Sequence, residues 1–159
     1  MLDWEGLFKR YVWDSRTTPY LVPVTKLNRH QADYEILAYC LFNGVLFAVV
    51  AIAALGEAMP FGRSPAIGLY AFTVVCAAVV FHFTKVLPAA IVVAGAPLAC
   101  LAFIAAYGFG SARPIIDTAV VAVMILALIA YSIRIVKVAY LYPSLPDGEG
   151  APPRRRLFK

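Results

Sequence analysis

The chain has 159 residues, of which 62% are apolar or aromatic and 14% are charged. Soluble domains carry roughly 25% charged residues, so this composition excludes an ordinary soluble protein and predicts that lipid surrounds most of the surface. The net charge of +5 at pH 7 does not indicate a nucleic-acid partner, because the basic residues flank apolar segments and membrane topology already accounts for them.

The first 13 residues have the pattern of an amphipathic helix that lies on a membrane surface. Large apolar and aromatic residues recur at helical spacing, and charged residues occupy the other faces. Aromatic rings suit the headgroup layer, which solvates both their apolar bodies and their polar tips. The alternative is that this helix docks on a partner protein or on the protein's own bundle. The N-terminal residues expected at the interface or in partner contacts are Trp4, Leu7, Phe8, Tyr11, Trp13 and Tyr20.

The first membrane helix is expected to begin well before its apolar stretch. Pro19 and Pro23 disfavour a helix, so residues 19–26 are expected to form an extended linker. Asn28 and Gln31 then have the spacing of a capping box, in which each side chain bonds to the backbone N–H of the other residue. A helix from this point to the end of the first apolar run would be about 40 Å long.

Four apolar runs follow, each with the ~20 residues that a helix needs to cross ~30 Å of hydrocarbon. They cover residues 36–55, 66–84, 88–109 and 115–140. The runs do not alternate polar and apolar residues, so they indicate helices and not barrel strands. The connections are short enough to make consecutive helices antiparallel neighbours. The sequence therefore predicts an all-α polytopic membrane protein, with a four-helix up-down bundle over residues 36–141 that follows a cytoplasmic segment over 1–35.

The distribution of basic residues predicts the orientation of this bundle. Of the 14 Lys and Arg residues, only Arg63 and Arg113 lie in the first and third connections. The other 12 lie on the opposite side, which the positive-inside rule assigns to the cytoplasm. We therefore expect a multi-pass protein of the inner membrane with both termini in the cytoplasm. Charges throughout the first 15 residues leave no core for a cleavable signal peptide, so the first membrane helix is expected to act as the signal.

The segment 142–159 is expected to be a disordered basic tail. It is rich in proline and contains three consecutive arginines, Arg154, Arg155 and Arg156. Anionic lipid headgroups attract such a segment by about 1 kcal/mol for each basic residue near the surface. The expected partners of the tail are therefore anionic headgroups at the bilayer surface.

Ionisable and polar side chains within membrane helices are costly and are the first candidates for function. Asp117 follows a proline at the start of the fourth helix, where a carboxylate suits the helix N-terminus. It is interpreted as a helix-start residue, with an ion or proton site as the alternative. Arg134 and Lys137 lie near the cytoplasmic end and are expected to reach the headgroups or a partner's carboxylate.

His82 lies between two phenylalanines near the cytoplasmic end of the second helix. It is interpreted as a hydrogen-bonded interface residue, and the alternative is a ligand for heme or a pigment. The only other histidine, His30, is expected at a different depth, which disfavours a bis-histidine heme. Cys40, Cys76 and Cys100 lie in three different runs and form no CxxC pair, so they are expected to be small apolar packing residues. No cofactor and no metal are predicted.

Small residues predict close helix packing in the middle of the bundle. Asn43, next to Gly44, is expected to hydrogen-bond to a neighbouring helix while the glycine lets the two backbones approach. Gly95 has the same spacing of small residues in the third helix. Pro97 is expected to kink that helix, a feature common in bundles and also found at transporter sites.

No sequence motif of a nucleotide-binding, hydrolytic or metal-dependent enzyme occurs in the chain. We therefore expect a non-enzymatic accessory or scaffold subunit that attaches to a larger membrane complex through its helix faces and its N-terminal segment. The alternative is a small homo-oligomeric transporter or channel, with Asn43, Asp117 and the kink at Pro97 lining a path. A weaker alternative is a heme- or pigment-binding subunit that uses His82.

Overall fold

The computed structural model describes residues 22–56, 64–107 and 115–147. These residues form four helices and, within the described ranges, no strand. All four helices are long and apolar enough to span a membrane, which confirms the predicted all-α, multi-pass class. The expected amphipathic helix over residues 1–13 lies outside the described residues. The helices are α1 (Arg29–Leu55), α2 (Pro65–Thr84), α3 (Leu87–Tyr107) and α4 (Ile115–Leu141).

The predicted start of α1 is confirmed by its hydrogen bonds. The Asn28 side chain accepts from the Gln31 backbone N–H at 2.8 Å, and the Asn28 N–H donates to the Gln31 side chain at 3.1 Å. From this capping box α1 continues unbroken for 27 residues. The preceding segment differs from the expected extended linker, because Val24–Lys26 forms one 3₁₀ turn. Pro23 does not prevent this turn, since it needs only the carbonyl of Pro23, which accepts from the Lys26 N–H at 2.9 Å.

The connection between α2 and α3 consists of only Lys85 and Val86. Lys85 ends α2 in the left-handed conformation, with φ 56°, and its N–H donates to the Phe81 carbonyl at 2.9 Å. This conformation is a common way to terminate a helix and to satisfy one of its last carbonyls. It fixes the Lys85 side chain at the start of the reversal, beside the first turns of α1.

The buried residues form two clusters. The larger joins the first half of α1, the end of α2, the start of α3 and the end of α4, and we call this region the charged end. The smaller cluster consists of Phe47, Ala71, Val74 and Ala96, and we call this region the far half. Helix α1 packs most extensively against α2, and α3 packs against both α4 and α2.

Helix α1 approaches α2 closely at a glycine that the sequence interpretation did not single out. A Cβ atom on Gly68 would lie 3.7 Å from the Ala51 carbonyl oxygen and from the Ala54 Cβ. At Gly44 and Gly95, by contrast, an added Cβ would meet nothing within 4 Å. The predicted close approach at these two glycines is therefore wrong, because both face open space and not a neighbouring helix.

The first six residues of the expected tail fold back onto the charged end. Tyr142–Ser144 forms a 3₁₀ turn, and Leu145 is buried in the larger cluster. The backbone N–H of Arg29 donates to the Pro146 carbonyl at 3.0 Å, and its guanidinium pairs with Asp147 at 2.5 Å. The interpretation of the tail as disordered is therefore wrong for residues 142–147, because the apolar Leu145 packs there and Arg29 holds the backbone. Residues 148–159 lie outside the described part.

Candidate functional site

A buried ion pair connects the first and last helices at the charged end. Arg134 of α4 donates to the Glu35 carboxylate of α1 through Nε at 2.5 Å and through a terminal nitrogen at 3.2 Å. The Tyr131 hydroxyl donates to the same carboxylate at 3.2 Å. The Glu35 side chain is only 2% exposed, whereas that of Arg134 is 20% exposed. Burial of a carboxylate with so little access to water is costly, and such charge-assisted bonds offset that cost.

This pairing was not predicted from the sequence. Glu35 precedes the first apolar run by one residue, so it was assigned to the cytoplasmic segment. Arg134 was expected to reach lipid headgroups or a partner's carboxylate. The structure gives Arg134 a partner within the chain, and leaves Lys137, three residues later, with an exposed side chain. The useful signal was the presence of opposite charges on the first and last helices at the same end of the bundle.

A second polar contact between α1 and α4 lies one turn deeper. The Tyr39 hydroxyl and the Ser132 hydroxyl are 2.6 Å apart, and both side chains are buried. Ser132 donates its hydrogen to the Leu128 carbonyl at 2.7 Å, so Tyr39 is the donor to Ser132. Together with the ion pair, this bond forms a polar ladder that fixes the register of α1 against α4.

Asn43, one turn deeper again, was expected to bond to a neighbouring helix, but it makes no such bond to the helices that the structure describes. Its side-chain amide donates to the Tyr39 carbonyl of its own helix at 2.9 Å. The amide oxygen is buried and has no hydrogen-bond partner among the described residues. Asp117 lies in the first turn of α4, but its side chain is outside the described part, so its proposed role beside Asn43 stays a prediction.

A second charged group at the charged end joins α1, the α2–α3 turn and the C-terminal turn. The Lys85 ammonium lies 3.4 Å from the Asp33 carboxylate. The Tyr142 hydroxyl donates to the same carboxylate at 2.8 Å. The short connection after α2 is therefore tied to both α1 and the segment after α4, and three separate parts of the chain meet at Asp33.

His82 lies next to this group, at the edge of a polar cavity of about 520 Å³. Its ring contacts Phe83 edge-on, with centroids 5.0 Å apart, and its Nδ1 atom is buried without a hydrogen-bond partner among the described residues. His30 lines the same cavity. The expectation that the two histidines lie at different depths is therefore wrong, because α1 begins early enough to bring His30 level with the end of α2. In the described ranges, no three His, Cys, Asp or Glu side chains form a group that could hold a metal.

The cysteines are free and differ in their surroundings. Cys40 is buried in the larger cluster, as expected for a packing residue, and Cys100 is partly buried. Cys76 is exposed on the outer surface of α2, so it does not pack within the chain. Of the N-terminal interface candidates, all six from Trp4 to Tyr20 lie outside the described residues.

An apolar groove runs along the side of the molecule between α1, α3 and α4. Its cavity volume is about 700 Å³. Helix α4 is the least covered of the four, with 11% of its most apolar stretch buried against 28% for each of the others. Helix α3 contributes Pro97 to the lining, and the helix continues through this proline without a break. The larger side chains that line the groove are Phe42, Leu46, Phe47, Met124, Leu128 and Tyr131.

Comparison with known proteins adds no family to this description. No protein-family model matches the chain, and the searches of curated proteins and of solved structures return no significant match.

Proposed function

We propose that this chain is a non-enzymatic accessory or scaffold subunit, and that a transmembrane helix of a larger membrane complex packs into the groove between α1, α3 and α4. The observation that carries the proposal is the groove itself, which leaves one side of α4 without a neighbour among the described helices. Helix association within lipid depends on shape and packing, so an uncovered groove between helices suits a further helix.

The dimensions of the groove favour a helix as its occupant. Its α4 lining runs from Val121 to Tyr131, which corresponds to about 15 Å or three helical turns. The lining combines aromatic rings and Met124 with the small side chains of Ala38 and Ala127. Such a surface of large and small residues receives the side-chain ridges of a neighbouring helix.

The polar groups of the bundle also support a structural role. The Glu35–Arg134 pair and the Tyr39–Ser132 bond connect helices of the same chain, and the described lining of the groove is almost entirely apolar. A transporter needs polar groups along a path near the middle of the membrane. The described interior offers only Asn43 at that depth, and its amide bonds to its own helix.

The proposal includes a topology. The four helices form an up-down bundle in the inner membrane, and the charged end and both termini face the cytoplasm. The N-terminal amphipathic helix lies on the cytoplasmic surface, where it and the basic tail contact anionic lipids and partner subunits. Alkaline phosphatase becomes active only outside the cytoplasm. An alkaline phosphatase fused after Lys159 should therefore be inactive, and one inserted at Arg63 should be active. The reverse result contradicts this topology.

Affinity purification from native membranes in a mild detergent tests the subunit role. Ala127→Trp fills the groove, whereas Ala130→Trp adds the same ring at an exposed position of α4 that does not line the groove. We expect a membrane protein to co-purify at a fixed stoichiometry with the unmodified chain and with Ala130→Trp, and to be lost with Ala127→Trp. Purification of a homo-oligomer alone, unchanged by Ala127→Trp, contradicts the proposal and favours the transporter.

A further inference from the structure

A second crevice lies between α1 and α2, on a different side of the molecule from the groove. It has a polar section at the charged end, of about 520 Å³, and an apolar section of about 310 Å³. The two sections share the side chains of Leu37, His82 and Phe83, so they adjoin each other along the crevice. The crevice is therefore amphipathic along its length, with its polar part at the end of α2.

The depth of this crevice corresponds to one leaflet of a bilayer. Its α2 lining extends from Lys85 to Val75, which is about 15 Å along the helix. Half of a hydrocarbon core of ~30 Å is also ~15 Å. When the charged end is level with the headgroups, the apolar section therefore ends near the middle of the membrane.

The polar section contains groups that recognise a phosphate. The Lys85 side chain is 13% exposed, and Asp33 at 3.4 Å is its one ion-pair partner among the described residues. An ammonium has three donors, so Lys85 can bond to a further anionic group. The His82 side chain lines both sections at their junction. An N–H of its ring that faces the crevice can donate to an oxygen of the same anion.

The apolar section depends on the absence of a side chain at Gly44. Gly44 lines the section, and an added Cβ would meet nothing within 4 Å. Glycine inside a helix costs roughly 1 kcal/mol relative to alanine, and no helix in the described ranges packs against Gly44 to require it. Its effect is to leave open space over α1 beside Leu41, within the apolar section.

We propose that this crevice binds one phospholipid of the leaflet at the charged end, with the phosphate at Lys85 and His82 and one acyl chain along Gly44. The lipid would be a bound component of the protein, distinct from the general attraction between basic residues and the bilayer surface. The site does not involve the groove between α1, α3 and α4, so this proposal does not depend on the subunit role.

Native mass spectrometry of the delipidated full chain tests the proposal. Three probes separate the two ends of the ligand: dioleoylphosphatidylglycerol, dioleoylglycerol without the phosphate, and glycerol 3-phosphate without the acyl chains. We expect one phosphatidylglycerol to bind at least about tenfold more tightly than either of the other probes, because each lacks one set of contacts. Equal binding of dioleoylglycerol, or equal binding of glycerol 3-phosphate, contradicts the assignment of a phospholipid site.

Two matched variants locate the site. Gly44→Leu fills the apolar section, whereas Gly95→Leu adds the same side chain to open space on α3, away from the crevice. We expect Gly44→Leu to weaken phosphatidylglycerol binding by about tenfold or more, since it displaces several methylene groups, and Gly95→Leu to leave it unchanged. Lys85→Gln should also weaken phosphatidylglycerol binding, and it should affect dioleoylglycerol binding less. Equal affinities of the two leucine variants for phosphatidylglycerol contradict the proposed position. Circular dichroism is the control that shows whether both variants are folded.

Discussion

The charged end and the far half of the bundle are held together in different ways. At the charged end, ion pairs and hydrogen bonds connect α1 to α4, to the α2–α3 turn and to the segment after α4. In the far half, the buried cluster consists of Phe47, Val74 and two alanines, and the outer surface is apolar. The far-half cluster comes from α1, α2 and α3, whereas the charged end also includes α4 and the segment after it.

This difference reflects what lipid does to each type of contact. In a bilayer, apolar side chains gain little by contacting each other instead of lipid, so apolar helices can separate or add a neighbour at small cost. Buried charges gain much from a fixed partner, because lipid offers none. The charged end therefore fixes the position of α1 against α4, whereas apolar faces of the bundle can add a neighbour at small cost.

The largest expected effect is the loss of the buried ion pair. Arg134→Ala leaves the 2%-exposed Glu35 carboxylate with only the Tyr131 hydroxyl, and we expect a loss of about 3 kcal/mol in the free energy of unfolding. Reversible unfolding in mixed detergent micelles measures this value. Lys137→Ala is the control, because its side chain is exposed on the same helix, and it should change stability by less than about 0.5 kcal/mol.

The double variant Glu35→Ala/Arg134→Ala distinguishes a pair from two independent contacts. We expect the double variant to be about as stable as Arg134→Ala or more stable, because it removes the unpaired carboxylate. Additive losses from the two single substitutions contradict a direct pair and would remove the main distinction between the charged end and the far half.

The second effect tests the close approach of α1 and α2 in the far half. Gly68→Leu adds a side chain where Ala51 and Ala54 lie at 3.7 Å from the position of its Cβ, and we expect a loss of about 2 kcal/mol. Gly95→Leu is the matched control, because it adds the same side chain to open space and replaces a poor helix former. Unfolding in mixed micelles should separate the two variants, and equal stabilities contradict the close approach.

The fold could be predicted from the sequence to the extent that local patterns decide it. The length of the apolar runs gave the four helices, because only helices satisfy their own backbone hydrogen bonds in lipid. The capping box at Asn28 and Gln31 was also predictable, since both partners lie within one turn. The 3₁₀ turn at 24–26 was not predicted. The nearby prolines disfavour a helix, but the backbone carbonyl of a proline can still accept the hydrogen bond that closes such a turn.

The candidate sites were less predictable, because they depend on which helix faces meet. Glu35 and Arg134 are 99 residues apart, and no local pattern shows that they share an interface. Gly44 and Gly95 have the same small-residue spacing as a close helix contact, yet the contact occurs at Gly68. Small residues permit close packing but do not specify it, so the open space at Gly44 could be found only from the arrangement of α1 and α2.

The third effect tests the direction of the Tyr39–Ser132 bond in the polar ladder. Ser132→Ala leaves the buried Tyr39 hydroxyl without its acceptor, and we expect a loss of about 1–2 kcal/mol. Tyr39→Phe should cost less, because Ser132 keeps its bond to the Leu128 carbonyl. The same unfolding measurement checks the order of the two variants. A larger loss for Tyr39→Phe contradicts the assignment of Tyr39 as the donor.

The smallest effect concerns the end of α1 that carries Glu35. Asn28→Ala removes the acceptor for the Gln31 N–H, and we expect a loss of about 1 kcal/mol, whereas Asn28→Ser keeps an acceptor and should cost much less. Because the cap holds the first turns of α1 at the charged end, its loss should also increase amide hydrogen exchange at residues 31–34 more than at the far half. Equal increases in both regions contradict a local role for the cap and show that the charged end does not open independently of the far half.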